Sequence, residues 1–108
     1  MIDVLRGIEI INNIIAMMDV VDIPLPEEFS FPYPDSQISY NQMYNTVIQK
    51  ITSLTTKITE TVEGNITKED YYNTFIQEIG INEREIDELK SMGAFIEPKE
   101  YKGELNNV

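Results

Sequence analysis

The chain holds no cysteine, no histidine and no tryptophan in 108 residues. Without cysteine there is no disulfide, no thiolate metal site and no cysteine nucleophile. Without histidine the commonest general base and the commonest transition-metal ligand are both missing, so most enzyme mechanisms are closed to it. No glycine-rich phosphate loop, calcium loop or Gly-x-Ser-x-Gly turn occurs either. Long apolar runs are also lacking. The stretch from Met1 to Val21 is broken by Asp3, Arg6, Glu9, Asn12, Asn13 and Asp19, and is expected neither to act as a signal peptide nor to cross a bilayer. Bases are scarce: 8 Lys and Arg stand against 19 acids, a formal net charge of -11. Such a field repels phosphate backbones and anionic headgroups, so neither nucleic acid nor membrane is expected as a direct partner. The expected location is cytoplasmic, which for a viral chain means the host cell interior or the virion. The wealth of Ile and Asn suits an AT-rich genome such as those of many phages.

The acids are unevenly placed. Residues 1–35 carry a net -6 and residues 58–108 a net -7, whereas residues 36–57 carry +2. From Ser36 to Thr59 there is no Asp or Glu at all. Within this stretch Tyr40, Tyr44, Val47, Ile51, Leu54 and Ile58 step at 4-3-4-3-4 spacing, the seam of a coiled-coil-like helix. The remaining positions are amides and hydroxyls, among them Asn41, Asn45, Gln49, Thr52, Ser53, Thr55 and Thr56. A solvated helix carries charges of both signs, so this one is expected to be covered, by the rest of the chain or by another chain.

An earlier helix, about 2–21, repeats the pattern through Val4, Ile8, Ile11, Ile15 and Met18, and two such seams can pack at a shallow angle. Its β-branched isoleucines make a strand the competitor, and the 3.6-residue period decides for helix. Prolines at 24, 26, 32 and 34 make residues 23–35 an extended strap, with Leu25, Phe29, Phe31 and Tyr33 alternating along it. The strap closes the domain's own core or presents a proline-aromatic stretch to a partner, and the first reading is preferred. The second helix is expected over about 37–63. Thr67 and Asn82 then open two short capped helices, about 68–79 and 83–92, with Tyr72, Phe75, Ile76 and Ile79 buried on the former and Ile86 and Leu89 on the latter. The sum is an all-α fold, a small bundle of about four helices with a proline-rich extended crossover between the first two. It is read as a single domain over 1–97 and a flexible acidic tail over 98–108.

Three constellations bear on function. The last two helices have the outline of a helix-turn-helix, but Glu83, Glu85, Asp87 and Glu88 on the second would repel the phosphates it should read. That acidic face could instead imitate nucleic acid in a partner's basic groove. Glu60-x-x-Glu63 and Glu85-x-x-Glu88 are pairs that share a helix face and could together chelate Mg²⁺. Their spacing is loosely similar to that of the all-α nucleoside triphosphate pyrophosphohydrolases of the MazG type, a resemblance that implies a Mg-dependent phosphohydrolase. It covers four residues, the last acid is Glu where the family's second motif ends in Asp, and no base is placed to grip a triphosphate. The tyrosines, Tyr33, Tyr40, Tyr44, Tyr71 and Tyr72, are read as core residues with the hydroxyl at the rim.

The preferred expectation is a non-catalytic protein-protein interaction or assembly protein, an adaptor or accessory subunit of the kind a phage uses. No catalytic, cofactor-binding or metal-ligating residue is assigned. The interaction seam is Tyr40, Tyr44, Val47, Ile51, Leu54 and Ile58 with Val4, Ile8, Ile11 and Ile15, and the partner is a protein, self or other, with a homo-oligomer or a larger assembly expected. The first alternative is an acidic inhibitor or nucleic-acid mimic acting through Glu83, Glu85, Asp87 and Glu88. The second is the pyrophosphohydrolase-like enzyme.

Overall fold

Asp3 starts the first helix by accepting the Arg6 backbone N–H at 2.8 Å, a cap that fixes the N-terminus of α1, Val4–Val20. The computed structural model describes residues 1–99; of the expected acidic tail, positions 100–108 lie outside the described residues. Helix wins over strand in α1 because its apolar period lets one face disappear: Ile10, Ile11, Ile14 and Met18 are all at most 1 % exposed. The helix ends in a Schellman arrangement, Ile23 N–H reaching the Met18 carbonyl at 2.9 Å and Asp22 N–H reaching that of Asp19 at 3.3 Å. Asp22 occupies the left-handed position usually given to glycine, at φ 58°.

α2 spans Tyr40–Val62 and opens on a capping box between Ser39 and Gln42. It starts about a turn later than the spacing alone implies, because Asp35 holds the preceding residues in a turn of its own, accepting the Gln37 N–H at 2.8 Å. α3, Lys68–Thr74, is capped by Thr67 and runs on into a single π turn, Phe75–Ile79. α4, Glu83–Ser91, is capped reciprocally by Asn82 and Glu85. Gly93, at φ 71°, ends it, with Ala94 N–H bonded to the Leu89 carbonyl at 2.8 Å. The described residues are all-helical in their regular structure, a bundle of four helices without a strand.

The buried lines differ from the expected ones in three places. On α1 the line is Val4, Gly7, Ile11, Ile14 and Met18, with Ile8 and Ile15 half-buried on its flank. Gly7 causes the shift, since it lies directly against Val47 and a methyl group there would overlap Val47 Cγ1. On α2 the line begins at Met43, while Tyr40 is 61 % exposed and Tyr44 half-buried. The register that sets Gly7 on Val47 leaves no helical residue of α1 opposite Tyr40. On α3 the buried residues are Tyr71, Phe75 and Ile79, with Tyr72 and Ile76 half-buried, because the widened i→i+5 turn takes up an extra residue and keeps positions four apart in line.

The Gly7 contact can be checked directly. Gly7→Ala should cost about 1–3 kcal/mol by overpacking, and adding Val47→Ala should recover part of it in urea unfolding. Stabilisation by Gly7→Ala, the result that helix propensity alone would give, would overturn the close approach.

α2 is the centre of the molecule. α1 covers its seam. The crossover runs back beside it, with Ile23 and Pro32 buried, Phe29 and Phe31 half-buried, and Leu25 and Tyr33 left exposed. Lys50 fastens this strap, its Nζ 3.2 Å from Ser30 Oγ and 5.3 Å from the centre of the Phe29 ring. On its other side lies a second extended segment, residues 94–98, in which Ala94 and Phe95 are buried. The two hydroxyls that α2 buries receive it. Thr55 Oγ1 donates to the Ala94 carbonyl at 3.1 Å, and Thr59 Oγ1 donates to that of Ile96. Buried hydroxyls need such partners, which is why threonine sits here without loss.

Candidate functional site

The expected interaction seam is inside the molecule. Val47, Ile51 and Leu54 are wholly buried, Ile58 is 4 % exposed, and Val4 and Ile11 meet them from α1. The charge-free helix is therefore covered on this face by its own chain. Of the ten seam residues only Tyr40 stands clear of the core.

What α2 leaves outside is a stripe. Asn41, Asn45, Gln49 and Ser53 follow one another at four-residue spacing and are all exposed, with Tyr40 and Ile38 at its start. Tyr40 stacks on Tyr44 at a ring separation of 6.4 Å. Tyr44 in turn donates to Met92 Sδ at 3.3 Å, and burial raises its hydroxyl pKa above the ordinary tyrosine value, with the Glu88 charge adding to the effect. The ring pair is thus anchored at its inner member and free at its outer one.

The expected acidic face divides. Glu85 and Glu88, three apart, turn toward α1. Arg6 grips Glu85 in a fork, Nε at 2.7 Å and Nη2 at 2.8 Å, donates to the Gly80 carbonyl at 2.9 Å, and also pairs with Glu9. The bond from Arg6 holds the Glu85 carboxyl below the usual carboxylate range, and the same bond raises the guanidinium pKa. Glu88 Oε2 accepts the Ile2 N–H at 2.8 Å. Glu83 and Asp87, on the other side of α4, remain exposed. A four-carboxylate mimic of nucleic acid is therefore not assembled; half of it is fastening the N-terminus.

The two acidic pairs of the phosphohydrolase resemblance do not form one group. Glu60 and Glu63 stand exposed at the C-terminal end of α2, whereas Glu85 and Glu88 are engaged by Arg6 and the Ile2 N–H. Among the described residues no three acids are grouped so as to hold a metal ion.

A second ionic cluster went unread in the sequence. Glu97, on the returning segment, receives Lys90 at 2.8 Å and Lys68 at 3.8 Å, and accepts the Tyr72 hydroxyl. These bonds, Lys90 first, hold its pKa below the usual range, and Glu97 in turn raises that of Lys90. Beside it Phe95 packs against Tyr71, Tyr72 and Phe75, with ring separations of 4.8–5.8 Å. Tyr71 is almost fully buried, and burial pushes its hydroxyl up to about 12 against the opposing bond from Thr59. The signal for this docking was Thr55 and Thr59, two hydroxyls one turn apart beside an apolar seam.

Comparison with protein-family models, curated proteins and solved structures finds no match for this chain. Its function has to be argued from its own residues.

Proposed function

We propose that the protein is a non-catalytic protein-binding subunit, an adaptor or assembly component, and that its contact surface is the outer stripe of α2 from Ile38 and Tyr40 to Ser53. The observation that carries this is an exposed helix stripe without a charge on a molecule whose net charge is -11. Interface cores are marked by depletion of charge and enrichment of tyrosine, which offers a large amphipathic ring at low entropy cost. Tyr40 would supply the anchor, and the amides of Asn41, Asn45 and Gln49 would fix register through hydrogen bonds. The partner is a different protein, because two copies at this charge repel one another and the stripe carries nothing to offset that. No helix among the described residues is long and apolar enough to cross a membrane. Work inside the cell, or in a virion, fits this reading.

A photo-crosslinking residue placed at Tyr40 or Asn45, in the cells that make the protein, tests it. One discrete heavier adduct is expected from both positions and none from Glu27 on the strap. Failure to form an adduct, or equal labelling from Glu27, would sink the stripe as an interface.

A further inference from the structure

α3 and α4 leave a groove between them with a volume of about 430 Å³. Its floor is apolar, made by Tyr72, Ile76 and Ile86, the first two half-buried and so still open to a visitor. Its rim carries three exposed carboxylates, Glu69 on one wall and Glu83 and Asp87 on the other. Lys90 also reaches this groove, but its ammonium is engaged, 2.8 Å from Glu97 and 3.0 Å from the Tyr72 hydroxyl. The rim therefore carries more negative than positive charge.

The acids are too dispersed to take a metal ion, since no three of them form a group that could hold one among the described residues. A polyanion would be repelled by them. What matches both an apolar floor and a separated acidic rim is a chain with the reverse arrangement, apolar side chains along one side and bases flanking them. We propose that this groove binds a basic amphipathic segment of a partner protein, its apolar side chains resting on Tyr72 and Ile76 and its lysines or arginines reaching Glu69, Glu83 and Asp87. The site is separate from the α2 stripe and stands or falls independently of it.

The test uses the full chain and a short synthetic peptide of leucine and lysine in amphipathic order, with a second peptide in which glutamine replaces lysine. Two charge-reversed variants change the net charge equally: Glu83→Lys with Asp87→Lys inside the groove, and Glu27→Lys with Glu63→Lys outside it. Wild type and the outside variant should bind the lysine peptide saturably at low salt, shifting the amide signals of Asn73, Ile76 and Asp87. The groove variant should bind about tenfold more weakly, as should wild type with the glutamine peptide, the loss expected from removing a few solvent-edge ion pairs. Should the groove variant fail to fold, Asp87→Asn alone should still weaken binding about threefold. Absence of saturable binding to wild type, equal weakening in both reversed variants, or signal shifts confined to another surface would overturn the proposal.

Discussion

Ile51→Asp should unfold the protein and not merely separate it from a partner. Ile51 is wholly buried at the middle of the α1–α2 seam, among apolar neighbours. The substitution removes a large apolar side chain and places an uncompensated acid in the core, a combination that costs more than about 4 kcal/mol. Domains of this kind have a total stability of about 5–15 kcal/mol, so much of the margin goes. Loss of near-ultraviolet dichroism and collapse of amide dispersion are the expected readouts. Tyr40→Asp, one residue into the same helix, should change stability by less than about 0.5 kcal/mol, since its ring is already in water. A folded Ile51→Asp chain with only its solution mass altered would return the seam to the surface.

Phe95→Ala should cost about 3–5 kcal/mol, the range for emptying an aromatic site in a core. Phe95 is 5 % exposed and touches three aromatic rings on α3 and its π turn. Its loss also loosens the segment whose carbonyls Thr55 and Thr59 bond, which adds to the cost. Thermal or urea unfolding measures the sum. A value near 1 kcal/mol would mean that residues 94–98 are an ornament on a core complete without them. Phe95→Leu, which keeps volume but not ring geometry, should fall between the two.

Much of the architecture was legible. Ser39, Thr67 and Asn82 announced the helix starts because a hydroxyl or amide side chain placed before an apolar period has a specific task, to satisfy orphan amides. The prolines announced the crossover by the same kind of argument. The seam was legible as an apolar line, but a line looks the same whether its cover comes from its own chain or another. The spacing includes Tyr40 because periodicity says nothing of where the opposing helix begins. Ile8 and Ile15 were preferred to Gly7 and Ile14 because a glycine adds nothing to a hydrophobic pattern, although here its lack of a side chain decides the register. The division of the acidic face was beyond the sequence altogether, since it needed Arg6 and Ile2 to be brought across to α4. Ala94, Phe95 and Ile96 are too short a run to show any period.

Segments distant in sequence complete the middle of the molecule. Ile2 is tied to Glu88, and the buried hydroxyls of α2 wait for Ala94 and Ile96. Until residues 94–98 have docked, therefore, the α1–α2 pair can bury its shared apolar line but leaves this flank of α2 open. Closure over such sequence separations is slow and all-or-none compared with local helix pairing. Without Phe95 in place the rings of Tyr71, Tyr72 and Phe75 lose their cover, and apolar surface of that kind favours aggregation. Docking of residues 94–98 on α2 thus acts as the closing step of the fold.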